Sequence, residues 1–315
     1  MSQIPVAHSG RILSVNISKE KGTVKEPVEA VRMAELGIEG DAHAGRWDRQ
    51  VSLLAREEVE RFEHKAGRPV RNGEFAENIT TTGMDLTRVA LLDRFRIGTV
   101  ELEVTQIGKK CHGAACAIFR EVGECVMPKE GLFARVVSGG EVRAGDEILH
   151  MERPFRIRVI TLSDRASAGE YPDLSGPKIQ EMLAAFFEGK RWHVEVDRRL
   201  IPDNAAQLEQ MLGEARSGGI DAVFTTGGTG IGPRDITPDV VAMLADRQIP
   251  GIMDHIRLKY GATNPNALMS RSVAAVMGST LVFALPGSVK AVSEYMEEIL
   301  KVFEHAFRML HGLGH

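Results

Sequence analysis

The feature that most constrains this chain is a change of rhythm at Phe155. Beyond it, apolar runs of strand length alternate with segments whose apolar residues recur at helical spacing. "RIRVITLS" reads as a strand. Ser175 caps the next helix, with Pro177 in its first turn and Ile179, Met182, Leu183, Phe186 and Phe187 along one face. "WHVEVDRRLIPD" leads into a helix with Leu208, Met211, Leu212 and Ala215 turned inward. "DAVFTT", a helix from Pro238, "SVAAVMG" and "TLVFALPG" follow, then a long amphipathic helix through Val292, Tyr295, Met296, Ile299, Val302 and Phe303. Such alternation predicts an α/β domain, with a mostly parallel sheet covered by helices on both faces in three layers.

The grammar before Phe155 is different. "TVELEVTQI" alternates, with Val100, Leu102 and Val104 on one face, as a half-buried strand does. Gly98, and again Gly139-Gly140, separate such runs in the manner of hairpin turns. One helix interrupts, "LLAREEVERFEHKAG", stopping at Gly67 with Pro69 beyond. A mostly β barrel or sandwich fits this pattern. A length of 315 residues agrees with two domains. We expect them at 1–152 and 155–315, joined through "HMERP".

Charge narrows the classes of partner. A net charge of -4 gives no electrostatic case for nucleic acid or an anionic membrane. No stretch approaches the roughly 20 apolar residues of a membrane span. "MSQIPVAHSGRILSV" lacks the basic head and apolar middle of a signal peptide, so a cytoplasmic location with reduced thiols is expected.

Chemistry concentrates at the strand ends of the second half, where open α/β sheets bind ligands. Those ends read "SDRASAG", "IPD", "TTGGTG" and "LPGSVK". In "TTGGTGIGPRDITPD" neither the GxGxxG fingerprint nor the Gly-Lys-Ser/Thr of a P-loop is present. Phosphate would instead be held by the backbone N–H groups of Gly227, Gly228, Thr229 and Gly230, assisted by the hydroxyl of Thr226 or Thr229. A carboxylate beside a polyphosphate needs a cation between them, and magnesium is held by one or two carboxylates plus phosphates. Asp235, Asp203 and Asp164 can converge on that edge to hold metal for phosphoryl or nucleotidyl transfer. Two plainer roles stand beside this one: Asp235 as a turn residue and Asp203 as the cap of the helix after it.

"VITLSDRASAG", "LIPD", "TTGGTGxxxRDxTPD", "ALMSRSV" and "LPGSVK" together resemble the MogA/MoaB molybdopterin adenylyltransferase family over about residues 156 to 305. The resemblance implies a typically trimeric enzyme that uses ATP and Mg²⁺ to adenylylate molybdopterin, releasing pyrophosphate. It places the essential, metal-holding acids at Asp203 and Asp235 and the nucleotide loop at Thr226, Gly227, Gly228, Thr229 and Gly230. Ser163, Asp164, Ser270, Pro286, Gly287, Ser288 and Lys290 then line the pterin–nucleotide cleft. "GIGPRD" departs from the pattern by an added glycine and proline, which alters loop stiffness and keeps both acids.

All three cysteines, Cys111, Cys116 and Cys125, fall in one segment of the first half. In "GKKCHGAACAIF", Lys109, Lys110 and His112 flank Cys111, and positive charge favours a thiolate able to bind metal or carry sulfur. Soft thiolate suits molybdenum. Zinc fits less well, since the C-x4-C-x8-C spacing lacks a C-x2-C knuckle. Small buried hydrophobe is the plainer role, best suited to Cys125 and then Cys116. "GDAHAGRWDRQ" offers Asp41, His43, Arg46 and Arg49 in a glycine-punctuated loop, or simply a polar surface loop. With "GEFAENITTTGMDL" and "GLFARVVSGGEVRAGDEI", these stretches resemble the MOSC domain over about residues 8 to 150. That resemblance implies a β-barrel that binds molybdenum cofactor or carries sulfur on Cys111, with Asp41, His43 and Arg49 in its site. Pyridoxal phosphate is not expected, because no lysine in the sequence stands out for a Schiff base. The reading is a fusion serving molybdenum cofactor biosynthesis, handing its product to other biosynthetic proteins or to molybdoenzymes. The alternative is a non-catalytic protein that binds, stores or inserts the cofactor.

Overall fold

The computed structural model describes residues 6–109 and 125–314. Contacts divide the chain into two units. The first holds Met1–Arg153, Arg191–His193 and Gly312–His315; the second holds Pro154–Lys190 and Val194–His311. Among the described residues no helix is long and apolar enough to cross a membrane.

The first unit contains β1 (Val6–Ile17), β2 (Glu26–Val28), β3 (Ala30–Ala34), β4 (Gly37–Ile38), β5 (Val51–Ala55), β6 (Ile79–Thr82), β7 (Arg94–Ile97), β8 (Val100–Ile107), β9 (Leu132–Ser138), β10 (Gly140–Arg143) and β11 (Glu147–Met151). Seven of these pair in the order β11-β7-β8-β9-β5-β6-β1, and β11 also pairs with β1, so the sheet closes into a barrel. Closure removes the unpaired edges that an open sheet would expose. Val100, Leu102 and Val104 face the core as the alternation predicts, among Ile12, Val15, Leu53, Phe95 and Ile148. Gly98, at φ 56°, makes the β7–β8 turn.

Two local expectations change. The glycines at 139 and 140 do not turn a hairpin: β9 stays in the barrel, while β10 joins β3 and β4 in a separate small sheet. They are needed for close approach, since a Cβ on Gly139 would fall 2.5 Å from Met33 O and one on Gly140 2.5 Å from Thr99 Oγ1. The helix also starts later than its apolar run. Leu53 to Ala55 belong to β5, and α1 spans Arg56–Ala66, ending at Gly67 in the left-handed region, φ 70°. A one-turn helix, α2 (Met127–Glu130), precedes β9.

The second unit is α/β. Its strands are β12 (Phe155–Leu162), β13 (Val194–Ile201), β14 (Ala222–Thr226), β15 (Arg247–Gln248), β16 (Ala274–Met277) and β17 (Thr280–Leu285). Its helices are α3 (Asp164–Ser167), α4 (Ser175–Phe187), α5 (Ala205–Ser217), α6 (Thr237–Leu244), α7 (Pro250–Gly261) and α8 (Val289–Leu310). Sheet order is β13-β12-β14-β17-β16-β15. The pairings β13–β12, β12–β14 and β14–β17 are parallel; β17–β16 and β16–β15 are antiparallel. The chain passes from β12 to one neighbour, β13, and then to the other, β14. That reversal puts a topological switch point beside β12, and the carboxyl ends of β12, β13, β14 and β17 share one edge.

Helical periodicity locates the inner faces well. Ile179, Leu183, Leu208, Leu212, Ala215, Val292, Met296, Ile299 and Phe303 have at most 1% of their surface exposed. Phe303 meets Phe224, Phe283 and Phe155 at centroid distances of 5.7, 6.0 and 6.1 Å. Truncating such a residue to alanine costs about 3–5 kcal/mol. Val302 departs from the expected face and is 38% exposed. The cap of α4 also differs: Ser175 lies inside the helix, and Asp173 Oδ1 accepts the N–H groups of Ser175 and Gly176, both at 3.1 Å.

Candidate functional site

The glycine stretch after β14 forms a turn pinned from three sides. Gly227 (φ 103°) and Gly228 (φ 61°) occupy backbone conformations that side chains disfavour. A Cβ on Gly227 would fall 2.2 Å from Leu162 O, so the turn lies directly against the end of β12. Thr237, opening α6, donates its N–H to Gly228 O at 3.1 Å and its hydroxyl to Gly227 O at 2.9 Å. Gly287, after β17, approaches from the other side; its Cβ position is 3.3 Å from the Gly227 Cα.

Both acids singled out by the sequence flank this turn. The Cβ position of Gly228 is 3.8 Å from Asp203 Oδ1, and that of Gly230 is 2.7 Å from Asp235 Oδ2. Asp203 does not cap the following helix. Asn204 does so, accepting the Gln207 N–H at 3.0 Å. Asp203 instead exchanges hydrogen bonds with Asp164: the Asp164 N–H donates to Asp203 Oδ2 at 3.2 Å, and the Asp203 N–H to Asp164 Oδ1 at 2.9 Å. Arg234 reaches Asp164 Oδ2 at 3.3 Å. Asp235 does hold the turn, since its Oδ2 accepts the Gly232 N–H at 2.7 Å. All three acids are half-buried.

Other expected ligand groups divide. Gly227 donates its N–H to Leu285 O at 3.1 Å, and the buried Thr226 donates its hydroxyl to Pro286 O at 2.8 Å. Both donors therefore shape the loop and do not face a phosphate. Among the described residues, none takes the N–H of Gly228, Thr229 or Gly230. Ser163 caps α3 through the Ala166 N–H at 3.2 Å, and its hydroxyl meets the Tyr171 hydroxyl at 2.9 Å. Ser288 caps α8 through the Ala291 N–H at 3.3 Å. Lys290 is exposed, 3.8 Å from Glu294. Ser270 shares a 2.8 Å hydrogen bond with Ser272.

The sequence reading missed Arg271, which ties the loop together. Its Nε donates to Gly230 O at 2.8 Å, Nη2 to Asp235 O, and Nη1 to Asp239 Oδ1 at 2.8 Å. The signal was present in "ALMSRSV", where Arg271 directly follows the Ser270 that the resemblance marked.

In the first unit, Asp41 and His43 are brought together as expected, but around a residue that the sequence did not mark. Lys25 is buried, and its ammonium donates to Asp41 Oδ2 and contacts His43 Nδ1 at 3.3 Å. Asp41 also accepts the N–H groups of Ser18 at 3.0 Å and His43 at 2.9 Å. Burial pushes the lysine's pKa down, and the Asp41 hydrogen bond and charge offset only part of that. Burial alone would raise the Asp41 carboxyl, yet hydrogen bonds from His43 and Lys25 hold it well below the usual range. Buried Glu77 is pushed up by its own desolvation, although Gly73 N–H and the Thr80 hydroxyl donate to it. His43 stacks on Trp47 at 6.0 Å, with Lys21 and Arg49 over the indole at 4.9 and 5.0 Å. Arg46 is exposed. Cys125 packs against the cluster of Leu54, Val59 and Phe62. Cys111 and Cys116, with Lys110 and His112, lie outside the described residues.

A glycine turn with flanking carboxylates stands here at the carboxyl edge of parallel strands, the place where open α/β domains bind their ligands. Comparison with known proteins agrees. Residues 158–305 match the family model "Probable molybdopterin binding domain", and residues 40–149 match "MOSC domain". The molybdopterin adenylyltransferase of Haemophilus influenzae is 39% identical over 146 residues, covering 46% of this chain and 73% of that protein. The Escherichia coli K12 protein of the same name is 37% identical over the same shares. That of Helicobacter pylori J99 is 34% identical over 162 residues, 50% of this chain and 89% of that protein. The chain belongs to the molybdopterin adenylyltransferase family, with a MOSC domain fused ahead of the family's domain.

Proposed function

We propose that the C-terminal half, taken as 155–315, transfers AMP from ATP to molybdopterin, and that the N-terminal half, 1–152, serves the same cofactor pathway. One observation carries the reading: Asp203 and Asp235 stand beside Gly228 and Gly230 of a turn whose Gly228, Thr229 and Gly230 N–H groups are unclaimed among the described residues. Backbone N–H groups in a turn bind phosphate, and hard carboxylate oxygens suit Mg²⁺. An oxygen of molybdopterin attacks the α-phosphorus, the bond to the β-phosphate oxygen breaks, and pyrophosphate leaves. The turn holds the phosphates while Arg271 fixes its shape. Asp203 and Asp235 would hold the ion, which neutralises phosphate charge when bound. Asp164 orients Asp203 through their paired hydrogen bonds. Ser270, Pro286, Gly287, Ser288 and Lys290 complete the pterin side of the cleft in this reading.

For the MOSC half we infer binding of molybdenum cofactor or sulfur carriage by Cys111. The cations Lys21 and Arg49 around Trp47 support an anionic ligand near His43. A homotrimer through the second unit is what the resemblance to the adenylyltransferase family implies. The test is pyrophosphate release. The proposal expects it only when ATP, Mg²⁺ and molybdopterin are all present; a binding, storage or insertion protein gives none.

A further inference from the structure

Three donors from separate stretches converge in the first unit, none of them part of the Lys25–Asp41–His43 group. They are Asp93, His150 and His193, with donor atoms within 4.8 Å of one another. Asp93 and His150 are fully buried, while the His193 side chain is 24% exposed. Asp93 Oδ2 meets His150 Nε2 at 2.7 Å and His193 Nε2 at 2.9 Å, and it also accepts the Ala90 N–H at 2.8 Å. Three donors on one carboxylate oxygen exceed its two lone pairs. The His150 Nδ1 is buried and has no hydrogen-bond partner, which leaves Nε2 as that ring's usable atom.

We propose that Asp93, His150 and His193 bind a divalent transition-metal ion of the zinc class, through Asp93 Oδ2 and the two Nε2 atoms. Imidazole with carboxylate selects zinc-like ions over magnesium or calcium. Three protein ligands leave a fourth position for water, and the partly exposed His193 places it towards solvent. An outer contact of the kind that orients ligands is in place for Asp93, a carboxylate stands near His193, and His150 Nδ1 has none. The Arg153 N–H holds Asp93 Oδ1 at 2.8 Å, and Glu152 lies 3.9 Å from His193 Nδ1. The donors stand at hydrogen-bond separation. Metal bonds of about 2.0–2.1 Å require both separations to open by about 0.5 Å, so the buried His150 as well as His193 must draw back from Asp93. Both rings then carry their proton on Nδ1. A neutral ring releases none, and an imidazolium releases one.

Cobalt(II) titration of the full-length protein, stripped with chelator and dialysed, tests this. The expected result is a ligand-field absorption that saturates at one ion per chain, without a sulfur-to-metal charge-transfer band, and that is displaced by zinc. The triple variant Cys111→Ser, Cys116→Ser, Cys125→Ser should titrate identically. His193→Gln, and independently Asp93→Asn, should weaken binding by more than the roughly tenfold cost of losing an outer-shell partner. No saturable band in the wild-type protein overturns the proposal, as does a thiolate band abolished in the triple variant. Wild-type affinity in a folded His193→Gln or Asp93→Asn variant also overturns it. Should one variant fail to fold, the other and the wild-type spectrum still decide.

Discussion

In the first unit, Lys25 and Asp41 are withdrawn from solvent and closed on each other, with Ser18 and His43 N–H groups completing the carboxylate's shell. In the second, Asp164, Asp203 and Asp235 stay half-exposed along a sheet edge, held by backbone N–H groups of a loop. A buried pair is costly to desolvate and costlier to break, so its members govern stability. An edge carboxylate contributes little to folding and remains available to a ligand. Substitutions in the two groups should therefore fail differently, by unfolding in one and by lost turnover in the other.

The largest expected effect is in the first unit. Asp41→Ala leaves a buried ammonium unpaired and should destabilise that unit by about 3–5 kcal/mol. Both tryptophans, Trp47 and Trp192, group with the first unit, so urea unfolding followed by tryptophan emission reads it selectively. The double change Lys25→Met, Asp41→Leu should recover the part of the loss due to the unpaired ammonium, while the Ser18 and His43 N–H groups still lack their acceptor. A loss under about 1 kcal/mol for Asp41→Ala would reduce the pair to the value of a surface ion pair. Acid gives the same contrast. The folded Asp41 carboxyl titrates below its unfolded value of about 3.9, so its stabilisation is complete above that pH and disappears as pH falls through the folded value. Tryptophan-detected acid unfolding below about pH 4 should therefore be steeper in the wild type than in Asp41→Asn.

The second unit should respond in turnover. Asp235→Asn keeps an oxygen for the Gly232 N–H and loses the charge, so kcat should fall on the order of a hundredfold with the melting temperature nearly unchanged. Near-normal turnover would return Asp235 to the turn alone. Arg271→Ala removes the ties to Gly230, Asp235 and Asp239, and should raise KM for ATP about tenfold, more than it lowers kcat. Equal loss in both would show that the loop collapses without it. Smallest is Asn204→Ala, which should cost about 1 kcal/mol of stability, read by thermal melting, and leave pyrophosphate release unaltered.

Legibility followed the same divide. Strand ends and inner helix faces of the second unit were readable because period 3.6 and glycine turns are local signals, as Leu208, Leu212 and Ala215 illustrate. Lys25 was unreadable because only tertiary contact makes a lysine buried, and nothing in "TVKEPV" announces it. Gly139 and Gly140 misled because a hairpin turn and a close approach both require glycine, and only sheet order tells them apart. Between Asp203 and Asn204, two adjacent residues that both favour the cap position, one residue of register decided which capped α5.

That register makes Asp203 the sharpest test of the central claim, that the strand-edge carboxylates serve adenylyl transfer and not folding. Its capping role is taken by Asn204, and an amide oxygen can still accept the Asp164 N–H, so Asp203→Asn has little structural function to lose. Pyrophosphate release by folded Asp203→Asn, with ATP, Mg²⁺ and molybdopterin saturating, should fall on the order of a hundredfold while the melting temperature stays within a degree or so of wild type. Turnover near the wild-type rate, or a large drop in melting temperature with turnover retained, would contradict the account.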